Sequence, residues 1–320
     1  MSIVARYPVP GDGGFDYVTF DAKSKRLFLA HATKVDVVDS GTGKVLGSIP
    51  DTPGVHGVAL ANEFHHGFTS NGAEHKVSMF DSRTLQVIRK IDVGKGPDGI
   101  YCHPGTKRVF TNNHGSHDIT AIDAKSGKVV GTVAIQGDGE QAVFGLPDGL
   151  IYVNSEDTNE VVVFDPKSLE VKRRMPLGGV AQTPTGLAYD AKNQRLFIAC
   201  RKEPILIVMD AVSGRVITSL PIGGVSDWAE YEGGMVYVST GEGILNVFRR
   251  QKPSADVYED AGAVRTQPSA KTMALDRKSG RIYLPAGEYQ FTPAAEAGKP
   301  PRRSIKPGSF VVLVVEAAGK

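Results

Sequence analysis

One phrase recurs along this chain and limits what it can fold into. It runs hydrophobic-x-hydrophobic-Asp, a short polar turn, then, in most copies, Lys or Arg before a hydrophobic residue. It appears as "DVVDSGTGKVLGSI", "SMFDSRTLQVIRKI", "TAIDAKSGKVVGTV", "VVFDPKSLEVKRRM" and "IVMDAVSGRVITSL". β-rich couplets precede these phrases, among them "RLFLAHA", "RVFTNNH", "LIYVNSE" and "RLFIACR", and "MVYVSTG" and "RIYLPAG" continue the series. Ahead of each couplet stands a further short strand, such as "FDYVTFD", "VHGVALA" or "PTGLAYD". The starts of these first strands, at Asp16, His56, Asp98, Glu140, Thr185, Asp227 and Lys271, fall 40 to 45 residues apart. Each unit therefore holds four short strands rich in Val, Ile, Phe and Tyr, bounded by turn residues.

A four-stranded unit of this period cannot bury both of its faces alone. Stacking such units radially covers every face and leaves only short, protected edges. Seven units predict an all-β fold, a seven-bladed propeller of antiparallel blades, with residues 1–320 forming a single domain. The last unit supplies "KTMALD", "RIYLPAG" and "SFVVLVV" but lacks an outer strand, and "SIVARYPV" at the N-terminus is available to complete it. The ring is thus expected to close by pairing of the two termini.

Composition narrows the function classes. Thirty-seven basic against 35 acidic residues leave a net charge of +2, which argues against nucleic acid as the main partner. No apolar run approaches the ~20 residues of a membrane-spanning helix. Cys102 and Cys200 are the only cysteines, too few for a disulfide framework or a thiolate metal site. The opening "MSIVARYPVPG" has neither the charged nor the apolar region of a signal peptide, so the chain reads either as cytosolic or as a mature exported form.

The stretch "LIYVNSEDTNEVVVFDPKSLEV" (150–171) resembles the YVTN repeat, and residues 1–316 as a whole resemble a YncE-like seven-bladed propeller. That resemblance implies the fold much more specifically than an activity, because such propellers include binding proteins and proteins with no assigned chemistry. It also implies a periplasmic or secreted setting.

Several tempting features have plainer readings. Asp39, Asp81, Asp123, Asp165 and Asp210 each end a third strand before a polar turn, where a carboxylate caps turn N–H groups. "GTGK" at 41–44 is too short for a phosphate loop. Trp228 reads as core packing, and Cys200 beside Arg201 as a packed rather than an activated thiol.

Strand alternation puts the start of each first strand on the same face as the loop between strands two and three. Around the ring this face gathers Asp16, His56, Asp98, Glu140, Thr185, Asp227 and Lys271. To these the strand-two ends and following loops add His31, Asn71, Asn113, His114, Arg201 and Glu288. These side chains, Thr185 apart, are the candidate ligand-binding set at the channel mouth; His75 and His117 read as surface loop residues. His31, His56 and His114 are the candidate metal ligands, since imidazoles beside carboxylates suit a divalent transition metal. The turns on the opposite face, such as "DRKSGR", read as solvated hairpins. An insertion at 288–308, "EYQFTPAAEAGKPPRRSIKPG", interrupts blade seven on the mouth face; it reads as a lid with Arg302, Arg303 and Lys306 as cations, or as a mobile loop.

No nucleophile motif or paired metal motif is present. The favoured function is therefore binding of a small polar molecule, peptide or protein partner at the channel mouth. The alternative is a metal-dependent hydrolase or lyase built on the same histidines and carboxylates. A third class, an interaction module using the outer rim, ranks below both.

Overall fold

In the computed structural model, which describes residues 1–293 and 301–316, seven four-stranded antiparallel sheets follow one another along the chain. Blade one consists of Phe15–Asp21, Arg26–His31, Lys34–Asp39 and Val45–Ile49, in that order from the channel outward. Blades two to six repeat the pattern, and blade seven contains Ala274–Asp276, Arg281–Ala286 and Val311–Glu316. The N-terminal strand Ser2–Pro8 completes blade seven by pairing antiparallel with Val311–Glu316, so the expected closure of the ring is observed.

Burial follows strand position. Second and third strands are sandwiched between neighbouring blades and buried on both faces, which explains continuous apolar runs such as Ile205–Asp210. Outer strands have one wet face, and Val171–Pro176 alternates exposed and buried positions accordingly. The core is a series of wedges between adjacent blades. Phe28 meets Phe80 at 6.1 Å between blades one and two, and Phe110 meets Phe164 at 5.6 Å between blades three and four.

All five recurrent aspartates are turn caps, as the sequence suggests. Asp39 Oδ1 accepts from the Thr42 N–H at 2.8 Å, Asp81 Oδ1 from Arg83 N–H at 2.8 Å, and Asp123 Oδ1 from Ser126 N–H at 2.7 Å. Asp165 Oδ1 and Asp210 Oδ1 accept from Lys167 N–H at 2.7 Å and Ser213 N–H at 2.8 Å. Polar side chains also stitch each blade to the next. Thr19 donates to Val58 O, Asn112 to Glu140 O, Asn154 to Gly186 O, and Thr272 of blade seven to Asp16 O of blade one.

The insertion in blade seven forms a two-stranded arm, with Tyr289–Thr292 paired to Arg302–Ile305; the central part of the expected lid, 294–300, lies outside the described residues. Arg303 stacks on Tyr289 at 4.4 Å, and Lys306 pairs with Glu288 at 2.7 Å.

Candidate functional site

The site begins with an irregularity repeated in first strands. In blade one, Phe15 pairs with His31 and the next partners are Val18 and Leu29, so Asp16 and Tyr17 face a single residue. The same shift places His56 and Gly57, Asp98 and Gly99, and Glu140 and Gln141 in bulges of blades two, three and four. Thr185 and Asp227 are the extra residues in blades five and six. A bulge bends the strand and re-aims the inserted side chain. Lys271 stands just ahead of the short first strand of blade seven.

These side chains form a connected belt of charge. His56 Nδ1–H donates to Asp16 Oδ2 at 2.7 Å, and Asp98 Oδ2 lies 3.6 Å from the same nitrogen. Lys271 bridges Asp16 at 3.4 Å and Asp227, and Asp227 is also bound by Arg201. Arg201 reaches Glu156 at 3.2 Å. His114 donates from Nε2 to Gly139 O at 2.9 Å, which turns Nδ1 toward Asp98, 3.8 Å away. Tyr17 O–H donates to Glu140 Oε2 at 3.4 Å.

Charge and burial set the protonation. Burial disfavours the His56 imidazolium, but the Asp16 hydrogen bond and the Asp98 and Asp16 charges outweigh it and raise its pKa to about 9. Burial also pushes the Asp16 carboxyl up, yet Lys271 and His56 hold it below the usual 3.8. Glu140 differs from its neighbours. Burial, with Asp98, Asp227 and Glu156 nearby, raises it well above the ordinary carboxylate range. Five carboxyl groups (Asp16, Asp98, Glu140, Glu156, Asp227) thus share the mouth with the cations His56, Arg201 and Lys271.

The expected set is only partly assembled. Asp16, His56, Asp98, His114, Glu140, Arg201, Asp227 and Lys271 meet as described. The three histidines expected as metal ligands do not converge. His31 is fully buried, bonded through Nδ1 to Asp36 at 2.7 Å and packed against Phe310 at 4.7 Å. Its strand-two position turns it into the wedge between blades one and seven, because the strand lies one layer outside the channel. Among the described residues, the set that does gather donor atoms at this mouth is Asp16, His56 and Asp98, within 4.8 Å of one another. Asn71 and Asn113 are buried and serve their own blades, bonding Ser78 at 2.8 Å and Thr120 at 2.9 Å. Glu288 is exposed at the base of the arm, on Lys306.

Below the belt runs a cavity of about 610 Å³, the central channel. Its wall includes Tyr17, Ile100, Glu140, Trp228, Glu230 and Met273. Trp228 packs at 5.3 Å from Tyr17 and faces this space, so it is a channel-wall residue as well as a packing residue. Arg277 of "DRKSGR" is no plain hairpin residue: it turns inward to Glu230 at 2.8 Å and Glu232 at 2.7 Å. Tyr17, Trp228, Glu230 and Arg277 were not legible as site residues because strand position alone does not show which side chains cross the ring. The one available signal was Tyr17, which directly follows Asp16 within the bulge.

A family model described as YNCE-like beta-propeller matches residues 62–228. The chain belongs to this family. No curated protein matches it significantly. Among solved structures, the propeller is similar to a chain of Kuenenia stuttgartiensis hydrazine synthase, with 18% identity and a TM-score of 0.73. The match covers 86% of this propeller and 94% of that chain, and at this identity it speaks to the fold alone. No helix in the described residues is long and apolar enough to cross a membrane.

Proposed function

We propose that this propeller is a binding protein that takes a small polar molecule at the charged mouth of its central channel. The observation that carries the reading is the bulge-borne belt. Five first strands, those carrying Asp16, His56, Asp98, Glu140 and Asp227, deliver an ionisable side chain to one belt, and Glu140 among them also lines a cavity of ligand size. Rigid, mutually paired charges suit recognition of a polar group, because they are already oriented before the ligand arrives. Family membership supports an exported setting for such a binder.

The test is a thermal-shift and calorimetric screen of small polar metabolites on the wild-type protein, His56→Ala and Asp98→Asn. Ligands that bind the wild type and lose at least tenfold in affinity in both variants support the reading. Ligands that bind all three proteins equally would place binding elsewhere.

A metal-assisted hydrolase or lyase is the second reading, and the Asp16, His56 and Asp98 donor set favours it. A divalent ion there would activate a water or polarise a carbonyl. Two features weigh against it. A metal must displace a proton from the His56 Nδ1 held by Asp16, and Lys271 already supplies a cation to Asp16 at 3.4 Å. Metal content after incubation with Mn, Zn, Ni or Cu decides: near-stoichiometric uptake that disappears in His56→Ala supports the enzyme reading.

A further inference from the structure

With the channel taken as the binding site, its interior chemistry sets the class of ligand it suits. Most carboxylates near the channel have a cation of their own. Asp16 has His56 and Lys271, Asp98 has His56, Asp227 has Arg201 and Lys271, Glu156 has Arg201, and Glu230 has Arg277. Glu140 is the exception. It is 6% exposed, it lines the cavity, and among the described residues its one basic neighbour within 4.0 Å is His114, the Arg201 charge acting from farther off. It hydrogen-bonds the Tyr17 phenol at 3.4 Å and also the Glu156 carboxyl, neither of which brings a positive charge.

The surroundings of that carboxyl are specific. Tyr17 and Trp228 stand at 53° to each other with ring centroids 5.3 Å apart, forming a two-walled aromatic corner. Ile100 and Met273 add apolar wall. Without a close counter-ion the buried Glu140 carboxyl holds its proton, and a cation seated beside it and the two electron-rich ring faces would take that proton's place. Apolar wall beyond it lacks a hydrocarbon body. We infer that the channel takes an organic ammonium, with its cation seated by Glu140, Tyr17 and Trp228 and its apolar body lying along the cavity. An anion would face Glu140 directly, and a neutral polar molecule would leave the aromatic faces unused.

The experiment compares three shape-matched probes by calorimetry at pH 7: 2-phenylethylammonium, the neutral 2-phenylethanol and the anionic phenylacetate. The expected result is an ammonium bound about tenfold tighter than the alcohol, with the carboxylate weakest. Glu140→Gln, nearly the same shape, is expected to abolish the preference for the ammonium over the alcohol, and Trp228→Leu to weaken the ammonium about tenfold. An ammonium that binds no better than phenylethanol to the wild type overturns the inference without relying on any variant. Equal ammonium affinity in the wild type and Glu140→Gln overturns it as well. The polar-ligand screen with His56→Ala and Asp98→Asn, run on the same preparations, reads the mouth independently. Loss of the ammonium preference with retained mouth dependence would remove this inference and leave the broader binding reading standing.

Discussion

His56 is expected to remain an imidazolium at physiological pH, and the belt around the mouth depends on it. Its Nδ1 lies 2.7 Å from Asp16 and 3.6 Å from Asp98, and these carboxylates raise its pKa from 6.5 to about 9 despite the cost of burial. A folded-state value above the unfolded one means that protonation favours the fold. The stabilisation is fully present below pH 6.5 and is lost as pH rises through about 9. At full strength the rise would correspond to about 3 kcal/mol, at about 1.4 kcal/mol per pH unit. With 36% of the side chain exposed, screening reduces the expected contribution to about 1–2 kcal/mol. Histidine NMR, with His56 assigned by its loss in His56→Gln, should give a titration midpoint near 9, dropping by about one pH unit or more in Asp16→Asn. Urea melts should show a wild-type advantage over His56→Gln that is larger at pH 6 than at pH 10. A midpoint at or below 6.5, or a stability gap that does not shrink with pH, would refute the ion-pair account.

Three further outcomes follow from the same geometry. Lys271→Met leaves Asp227, which is 3% exposed, with only Arg201, and should cost about 2–3 kcal/mol in denaturant melts; a change under about 0.5 kcal/mol would show that the bridge carries little net weight. Gly43 has φ 72° and lies against the Tyr7 ring, so a methyl at Gly43→Ala would intrude on Tyr7 and strain the turn. That variant should lose about 2 kcal/mol and exchange the amides within the strand Ser2–Pro8, up to Tyr7, faster, with unchanged exchange refuting the tie between this turn and ring closure. Burial raises the Cys200 thiol to about 12 and the Cys102 thiol to about 11, with nearby acidic groups adding to both. Native protein should therefore react slowly with a thiol probe at pH 7, Cys200 only on unfolding; rapid native labelling of Cys200 would contradict its packing.

The repeat made the fold legible because its information is local. Period-two strands, polar turns and the missing outer strand of the last unit determine blade number, strand order and closure without reference to distant contacts. The five aspartate caps are equally local, since each carboxylate bonds N–H groups two or three residues onward. The face carrying the mouth was readable for the same reason.

Tertiary structure decided what meets across the ring. His31 and His56 look alike in sequence, yet one strand layer separates a buried hydrogen-bonding histidine from a mouth cation. The bulges that aim Asp16, His56, Asp98 and Glu140 inward are departures from strand alternation, so alternation alone could not place Tyr17 or Trp228 on the channel wall. Arg277 reaches Glu230 from a turn more than forty residues away in sequence, on a hairpin that reads as ordinary. Sequence determined the blades because each is built from neighbouring residues. Closing seven of them into one ring fixed the distances between blades, and those distances assigned charges their partners and, among the described residues, left Glu140 without a close counter-ion of its own.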